Sequence, residues 1–195
     1  MDDLSLVGRN NPLFEKDVAD VEYNLRAKIQ DSSFLVLGAA GTIGQATAIE
    51  LFKRGPKRLH VVDISENNLV ELVRKIRSSI GYSKGDFKTY CCDIGSKEFN
   101  LLISKHAPYD YIFNLAAMKH VRSERDPITL MRLIRTNILD TVNTIEIASH
   151  TNANKYFCVS TDKAANPVNL MGASKRIMEL FAAQQSDTIS ISISR

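Results

Sequence analysis

The sequence predicts an α/β fold, a doubly wound parallel sheet with helices on both faces, and two observations predict it. Short apolar runs alternate six times with segments whose apolar residues recur every three or four positions. The first of these runs, at 34–37, ends in Gly38-Ala39-Ala40-Gly41-Thr42-Ile43-Gly44 and opens directly into a helical pattern.

The elements follow in order. Residues 1–11 are polar and irregular, and Pro12 suits the first position of a helix capped by Asn11. Phe14, Val18, Val21, Leu25 and Ile29 share one face of that helix, which is expected to pack on the body as an N-terminal helical extension over 1–31. The dinucleotide-binding domain is expected over 32–195. Strands are expected at 34–37, 58–62, 87–92, 111–115, 156–160 and 188–193. Helices are expected at 43–53, 67–80, 98–105 and 170–184, with a long one at 127–149. Asp126 caps that long helix, Pro127 takes its first position, and Met131, Ile134, Ile138, Val142 and Ile145 form its stripe. No internal repeat, low-complexity segment or long linker interrupts the series.

Bulk properties bound the function. The chain has 195 residues, 44% hydrophobic and 24% charged, which suits one sizeable globular domain. A net charge of +3 with scattered basic residues argues against a nucleic-acid surface. No apolar run approaches the roughly 20 residues that span a bilayer, so no membrane insertion is expected. The first 30 positions are too charged for a secretory signal. Cys91, Cys92 and Cys158 are an odd number without metal spacing, which points to reduced thiols, no metal site and a cytoplasmic protein. Cys91 and Cys92 should face opposite sides of a strand. His60, His106 and His150 lack a partner pattern and read as structural or exposed, His60 being partly buried in its strand.

The glycine turn is the first chemical signal. Its spacing is G-x-x-G-x-x-G. A tight turn needs glycine, a pyrophosphate needs close backbone approach, and a helix N-terminus offers free N–H groups. Gly38, Ala40, Gly41, Thr42, Ile43 and Gly44 are therefore candidate cofactor contacts in a Rossmann-type domain. Asp63 ends the second strand about 20 residues on, where a carboxylate accepts from the adenosine ribose hydroxyls and repels a 2′-phosphate. No arginine directly follows it, which favours NAD over NADP. Its alternative role is a helix cap, which Ser65 could also supply. Asn114-Leu115-Ala116-Ala117 ends the fourth strand, and small residues there let the backbone lie against the cofactor. Lys119 and His120 come next, at the carboxyl edge where ligands of open α/β sheets bind, and are candidate substrate contacts. Asn137, on the long helix, is a lesser candidate that bridges backbone groups near the fourth strand.

The most informative stretch is Ser160-Thr161-Asp162-Lys163-Ala164-Ala165-Asn166-Pro167-Val168-Asn169-Leu170-Met171-Gly172-Ala173-Ser174-Lys175. The turn, the strand ends and this stretch resemble the extended short-chain dehydrogenases. In that superfamily a Ser or Thr ends the fifth strand and a Tyr-x-x-x-Lys pair follows on one helix face. Here Met171 takes the tyrosine place and Lys175 the lysine place, and none of the six tyrosines has a lysine four residues later. Either the site is silent or Thr161-Asp162-Lys163 performs the proton transfers.

The run resembles the capsular-polysaccharide group of UDP-N-acetylglucosamine 4,6-dehydratases, in the subgroup with methionine in place of tyrosine. Ala116–Val121 (A-A-x-K-H-V) and the N-terminal helix are similar to the same group, so the resemblance covers essentially the whole chain. Arg122 departs from it, since many relatives carry proline there. The resemblance implies that Asp93 and Ile94 meet the adenine, against the alternative of a loop cap for Asp93. It implies tightly bound NAD and a nucleotide-sugar substrate oxidised at C4, dehydrated across C5 and C6, and reduced at C6. Lys163, desolvated, would be the C5 base. Asp162, with a raised pKa, would be the acid at the C6 hydroxyl. Thr161 would bond the C4 oxygen, Lys175 would hold the nicotinamide ribose, and Met171 would pack beside the sugar. The resemblance also implies a homo-oligomer formed through the helix at 127–149. Two rivals are a nucleotide-sugar 4-epimerase and a catalytically silent NAD-binding domain. The second follows from the chain stopping at Arg195, just after the sixth strand, so that the substrate lobe is expected to be absent.

Overall fold

A computed structural model describes residues 8, 13–82 and 85–195. Six strands form one all-parallel sheet in the order β3-β2-β1-β4-β5-β6: β1 (Ser33–Leu37), β2 (Arg58–Asp63), β3 (Asp86–Cys91), β4 (Tyr111–Asn114), β5 (Lys155–Val159) and β6 (Ile191–Ser194). The order reverses between β1 and β4, so this is the doubly wound Rossmann arrangement that the alternating pattern predicts.

The helices are α1 (Glu15–Gln30), α2 (Thr42–Lys53), α3 (Glu66–Ser79), α4 (Lys97–His106), α5 (Pro127–Ile134), α6 (Asp140–His150) and α7 (Leu170–Gln184). Alternate residues of β1 point to opposite faces and build two cores. Phe34 and Val36 pack with Ala48, Leu51 and Phe52 of α2 and Leu69, Leu72 and Ile76 of α3. Leu35 and Leu37 pack with Phe99 and Leu102 of α4, Ile145 of α6 and Met178 of α7. All five residues of β1 are buried, as a central strand covered on both sides requires. Its start is locked to β4 by Asp110, whose Oδ2 accepts from the Ser33 N–H at 2.7 Å and the Ser33 hydroxyl at 2.6 Å.

Three expectations need correction. The apolar stripe of α1 does not pack on the body. Phe14, Val18, Val21 and Leu25 are exposed and only Ile29 is buried. The helix is instead held through Glu22, which pairs with Arg54 at 2.7 Å, and through Lys28 over the Tyr111 ring. The expected cap Asn11 and first-turn Pro12 lie outside the described residues.

The long helix at 127–149 is two helices joined by a π turn, Arg135–Leu139. Its predicted stripe splits: Met131 and Ile134 are exposed, at 71% and 40%, Ile138 and Val142 are half-buried, and only Ile145 is buried. The buried side is largely polar: Asn137, Asp140, Thr141 and Thr144 face inward beside Leu133, Ile145 and Ala148. Asn114 of β4 explains why, because its amide donates to Tyr156 Oη at 2.9 Å and to the Thr141 and Thr144 hydroxyls at 3.3 Å each. A buried amide must find partners, and this helix face supplies them.

His60 is fully buried rather than partly so. Its Nδ1 lies 2.7 Å from Tyr109 Oη and its Nε2 3.1 Å from Asp86 Oδ2. Burial pushes its pKa down to about 4, against the pull of Asp86. His106 stands edge-on to it with ring centroids 4.9 Å apart, and its Nε2 meets Tyr90 Oη at 3.0 Å. The cysteines are free: Cys91 is exposed at the end of β3, Cys92 is half-buried and Cys158 is buried. No helix among the described residues is long and apolar enough to cross a membrane.

Candidate functional site

The carboxyl ends of β1 to β5 and the loops after them surround a cleft of about 790 Å³. Its floor is the glycine turn. Gly38 has φ +71°, and a Cβ there would stand 2.5 Å from the Ala116 nitrogen. A Cβ on Gly44 would stand 2.1 Å from the Gly38 carbonyl oxygen. The turn and the fourth strand's end therefore meet backbone to backbone. The N-cap of α2 is Gly41, and no side chain caps the helix there. Its first N–H groups stay available to an anion, so the residues present fit a pyrophosphate.

Asp63 braces this floor. Its Oδ2 accepts from the Ala40 N–H at 2.9 Å and its Oδ1 from the Ser65 N–H at 2.9 Å. It does not cap α3, a role Ser65 takes by accepting from the Asn68 N–H at 3.4 Å. Ala40 meets the site only through that bond and is not part of the cleft wall.

At the β3 side, Asp93 and Ile94 line the cleft. Asp93 Oδ1 accepts from the Gly95 N–H at 3.0 Å, and Oδ2 pairs with the Arg132 guanidinium of α5. Burial works against the charged form, but Arg132 and the Gly95 N–H hold the Asp93 carboxyl below the usual carboxylate range. Ala116, Ala117 and Lys119 line the wall, as expected. Asn114 does not. Its amide is turned into the core network and its Oδ1 accepts from the Ala116 N–H at 3.1 Å, so it shapes the loop from beneath. His120 also lies off the cleft wall, as the N-cap of a 3-10 turn at Val121–Arg125.

Asn137 does what its position suggested. Its Oδ1 accepts from the Met118 N–H at 2.9 Å, while its Nδ2 donates to the Met118 carbonyl at 2.9 Å and the Ser174 hydroxyl at 3.0 Å. It ties the loop after β4 to α7.

The β5 side carries the chemistry-bearing stretch. Asn169 caps α7 by accepting from the Gly172 N–H at 2.8 Å, which sets the helix register. Met171 and Lys175 are then one turn apart on the buried face, 3% and 6% exposed, and both line the cleft. Lys175 Nζ donates to the Val159 carbonyl at 2.9 Å, and burial brings its pKa down to about 8. One further turn on, Glu179 accepts from the Ser160 hydroxyl at 2.6 Å and from Arg195 at 2.7 and 2.9 Å. Arg195 above all holds the Glu179 carboxyl down at about 2.

Thr161 and Lys163 reach the cleft, with Asp162 beside it in an adjoining hollow. The Thr161 hydroxyl donates to Asp162 Oδ1 at 2.9 Å, and Lys163 Nζ lies 3.4 Å from the same oxygen. Two local expectations fail in this form. Lys163 is not desolvated, since its side chain is 49% exposed. Asp162 is exposed, and the Thr161 hydroxyl, with the Lys163 N–H and ammonium, lowers its carboxyl pKa where a proton donor needs it raised. The 3-10 turn Asp162–Ala164 simply holds the pair out at the rim.

Sequence reasoning missed Arg132, Thr136 and Glu179. Arg132 stands on α5 and Thr136 in the π turn that follows it, and both line the cleft. Glu179 had a weak signal, standing four residues after Lys175 on the same helix face.

Among known proteins, residues 34–194 match the model of a family described as polysaccharide biosynthesis protein. An uncharacterized membrane protein of Methanocaldococcus jannaschii is 35% identical over 151 residues, covering 77% of this chain and 42% of that protein. The capsular polysaccharide biosynthesis protein CapD of Staphylococcus aureus is 31% identical over 171 residues, covering 86% of this chain and 28% of CapD. The chain thus spans less than half the length of these relatives. The solved structure of Pen from Bacillus thuringiensis superposes with a TM-score of 0.70 at 27% identity, covering 84% of this chain and 49% of that one.

Proposed function

The chain belongs to the polysaccharide biosynthesis protein family, and on that premise we propose that it carries the NAD-dependent chemistry of a nucleotide-sugar 4,6-dehydratase acting on UDP-N-acetylglucosamine. One observation carries the reading. Met171 and Lys175 share a buried helix face at the cleft, and the threonine, acid and amine of Thr161-Asp162-Lys163 stand beside them. A methionine cannot move a proton, so the proton work falls to that trio.

NAD, when bound, would supply the hydride acceptor for C4 of the sugar and the hydride donor for C6. The glycine turn and the N-terminus of α2 would hold the pyrophosphate, and Asp63 would take the adenosine ribose. Lys175, with one N–H on Val159, offers its others to the second ribose. Thr161 takes the C4 hydroxyl proton and passes it to Asp162, along the hydrogen bond they already share. Lys163 removes the C5 proton. Asp162 gives its proton to the C6 hydroxyl, which departs as water. Lys163 returns its proton to C5 as C6 is reduced. The sugar covering the rim supplies the desolvation that Lys163 and Asp162 lack without it.

The test is incubation with UDP-N-acetylglucosamine followed by mass spectrometry. The expected product is lighter by one water, and Lys163→Ala should abolish it while NAD still co-purifies. A product of unchanged mass with inverted C4 would mean the epimerase reading instead. NAD release on denaturation without any product would mean a silent cofactor domain.

A further inference from the structure

Lys175 and Glu179 stand one turn apart on the buried face of α7, each 6% exposed. They grip the end of β5 at successive residues. Lys175 Nζ donates to the Val159 carbonyl at 2.9 Å, and Glu179 Oε1 accepts from the Ser160 hydroxyl at 2.6 Å. A buried amine and a buried carboxylate four residues apart are expected to pair, since each is costly alone and the helix makes them neighbours. Here they stay apart. Among the described residues no ion pair joins them, and the Val159 carbonyl is the one acceptor the ammonium has.

The carboxylate is filled from elsewhere. A carboxylate offers about four acceptor positions, two on each oxygen. On Oε1 the Ser160 hydroxyl is joined by Arg195 Nε at 2.9 Å. On Oε2 stand Arg195 Nη2 at 2.7 Å and Arg176 Nη1 at 3.2 Å. Nothing is left on Glu179 for Lys175 to take. Arg195, directly after β6, supplies one donor to each oxygen, so its removal reopens both. Lys175 has three donors, spends one on Val159 and lines the cleft.

We propose that Arg195 and Glu179 are positioning residues for Lys175: by saturating the Glu179 carboxylate, Arg195 keeps it from capturing the Lys175 ammonium, whose remaining donors stay free for a ligand in the cleft. Calling that ligand the dinucleotide rests on the proposed function, whereas the saturation of Glu179 does not. The titratable groups that act on Lys175 are Cys158 of β5 and Glu179 of its own helix. Burial pushes the Cys158 thiol up to about 11, so it is uncharged where Lys175 titrates, near 8. Glu179 is then the counter-charge whose position the Lys175 titration reports.

The experiment follows that titration without ligand, by nuclear magnetic resonance of chain labelled with carbon-13 at the lysine ε-carbon, the Lys175 signal being assigned by its loss in Lys175→Met. Arg195→Gln should raise the Lys175 midpoint by about one pH unit, the scale of a new ion pair beside a buried amine. Glu179→Gln should not raise it. The double variant Glu179→Gln/Arg195→Gln should match Glu179→Gln alone, because no carboxylate is left to capture the amine. Should Arg195→Gln not fold, Arg195→Lys keeps the charge without the fork and should raise the midpoint by less. A purely structural pair would lower the melting temperature of these variants and leave the midpoint where it is, which would overturn the proposal. So would a rise in the double variant equal to that in Arg195→Gln, since Arg195 would then act on Lys175 directly. Calorimetry with NAD completes the test, and Arg195→Gln should bind it about tenfold more weakly, on the scale of one hydrogen bond. Failure of the unmodified chain to bind NAD would sink the NAD reading and leave the titration result standing.

Discussion

Acidification should destabilise this chain through a single imidazole, that of His60, which is not among the residues lining the cleft. His60 has no exposed side-chain surface, and its pKa of about 4 stands below the ordinary 6.5 chiefly because burial disfavours its charged form. The folded value is the lower one, so the sign is fixed. Above 6.5 both folded and unfolded chains hold a neutral ring, and the full stability is present. As pH falls from there towards 4, the unfolded chain takes a proton that the folded chain refuses, and stability drains away. At about 1.4 kcal/mol per unit the whole loss is roughly 3 kcal/mol, with most of it realised by about pH 4.5. The check is urea unfolding at neutral pH and at about pH 4.5, for the wild type and for His60→Gln. Glutamine keeps a polar group between Tyr109 and Asp86 but cannot take the proton. Carboxylates held down by partners other than His60, such as Glu179, affect both variants alike and cancel in the difference. The wild type should lose about 2–3 kcal/mol more than His60→Gln between the two pH values. Equal losses in the two proteins would refute the argument that His60 is sheltered and uncharged.

Two other substitutions probe the cleft and its support. Gly44→Ala drives a methyl to within 2.1 Å of the Gly38 carbonyl oxygen, which is rigid backbone. It should lower stability by about 1–3 kcal/mol and remove NAD from the purified protein, as ultraviolet absorbance after denaturation would reveal. Tyr156→Phe strips a fully buried hydroxyl from both the Asn114 amide and the Thr144 hydroxyl, 2.9 and 2.8 Å away. Its cost should be about 1–3 kcal/mol in chemical denaturation, since the partners are left wanting in a dry core.

The parts of this molecule that could be read from its sequence are those where local chemistry admits few solutions. Gly38 and Gly44 were legible because backbone meets backbone there and a Cβ will not fit. Lys175 was legible through its register with Met171 and the strand end. The strands followed from their apolar runs, with no end displaced by more than three residues.

What misled was the assumption that an apolar stripe faces the core. On α6 much of the inward face is polar, because Asn114 and Tyr156 demand hydroxyl partners, while on α5 Met131 and Ile134 of the predicted stripe face outward. On α1 only Ile29 of the stripe reaches the core, and an ion pair with Arg54 helps hold the helix in its place. Thr136 was invisible because it stands in a π turn, which no residue pattern signals. The rim pair Asp162 and Lys163 was placed correctly beside the cleft, but exposure is a property of what lies over a residue, and the local sequence says nothing of that.

The clamp between Ser33 and Asp110 has a consequence in time. β1 finds β2 nearby in the chain, but its other neighbour, β4, arrives only 77 residues after Ser33, at Asp110. Closing so long a loop is slow, and until it closes the central strand has one bare edge. The residues around the cleft run from Gly38 to Lys175. The bare edge is open to any other strand until β4 emerges, and a nascent chain must extend into α7 before the cleft is complete.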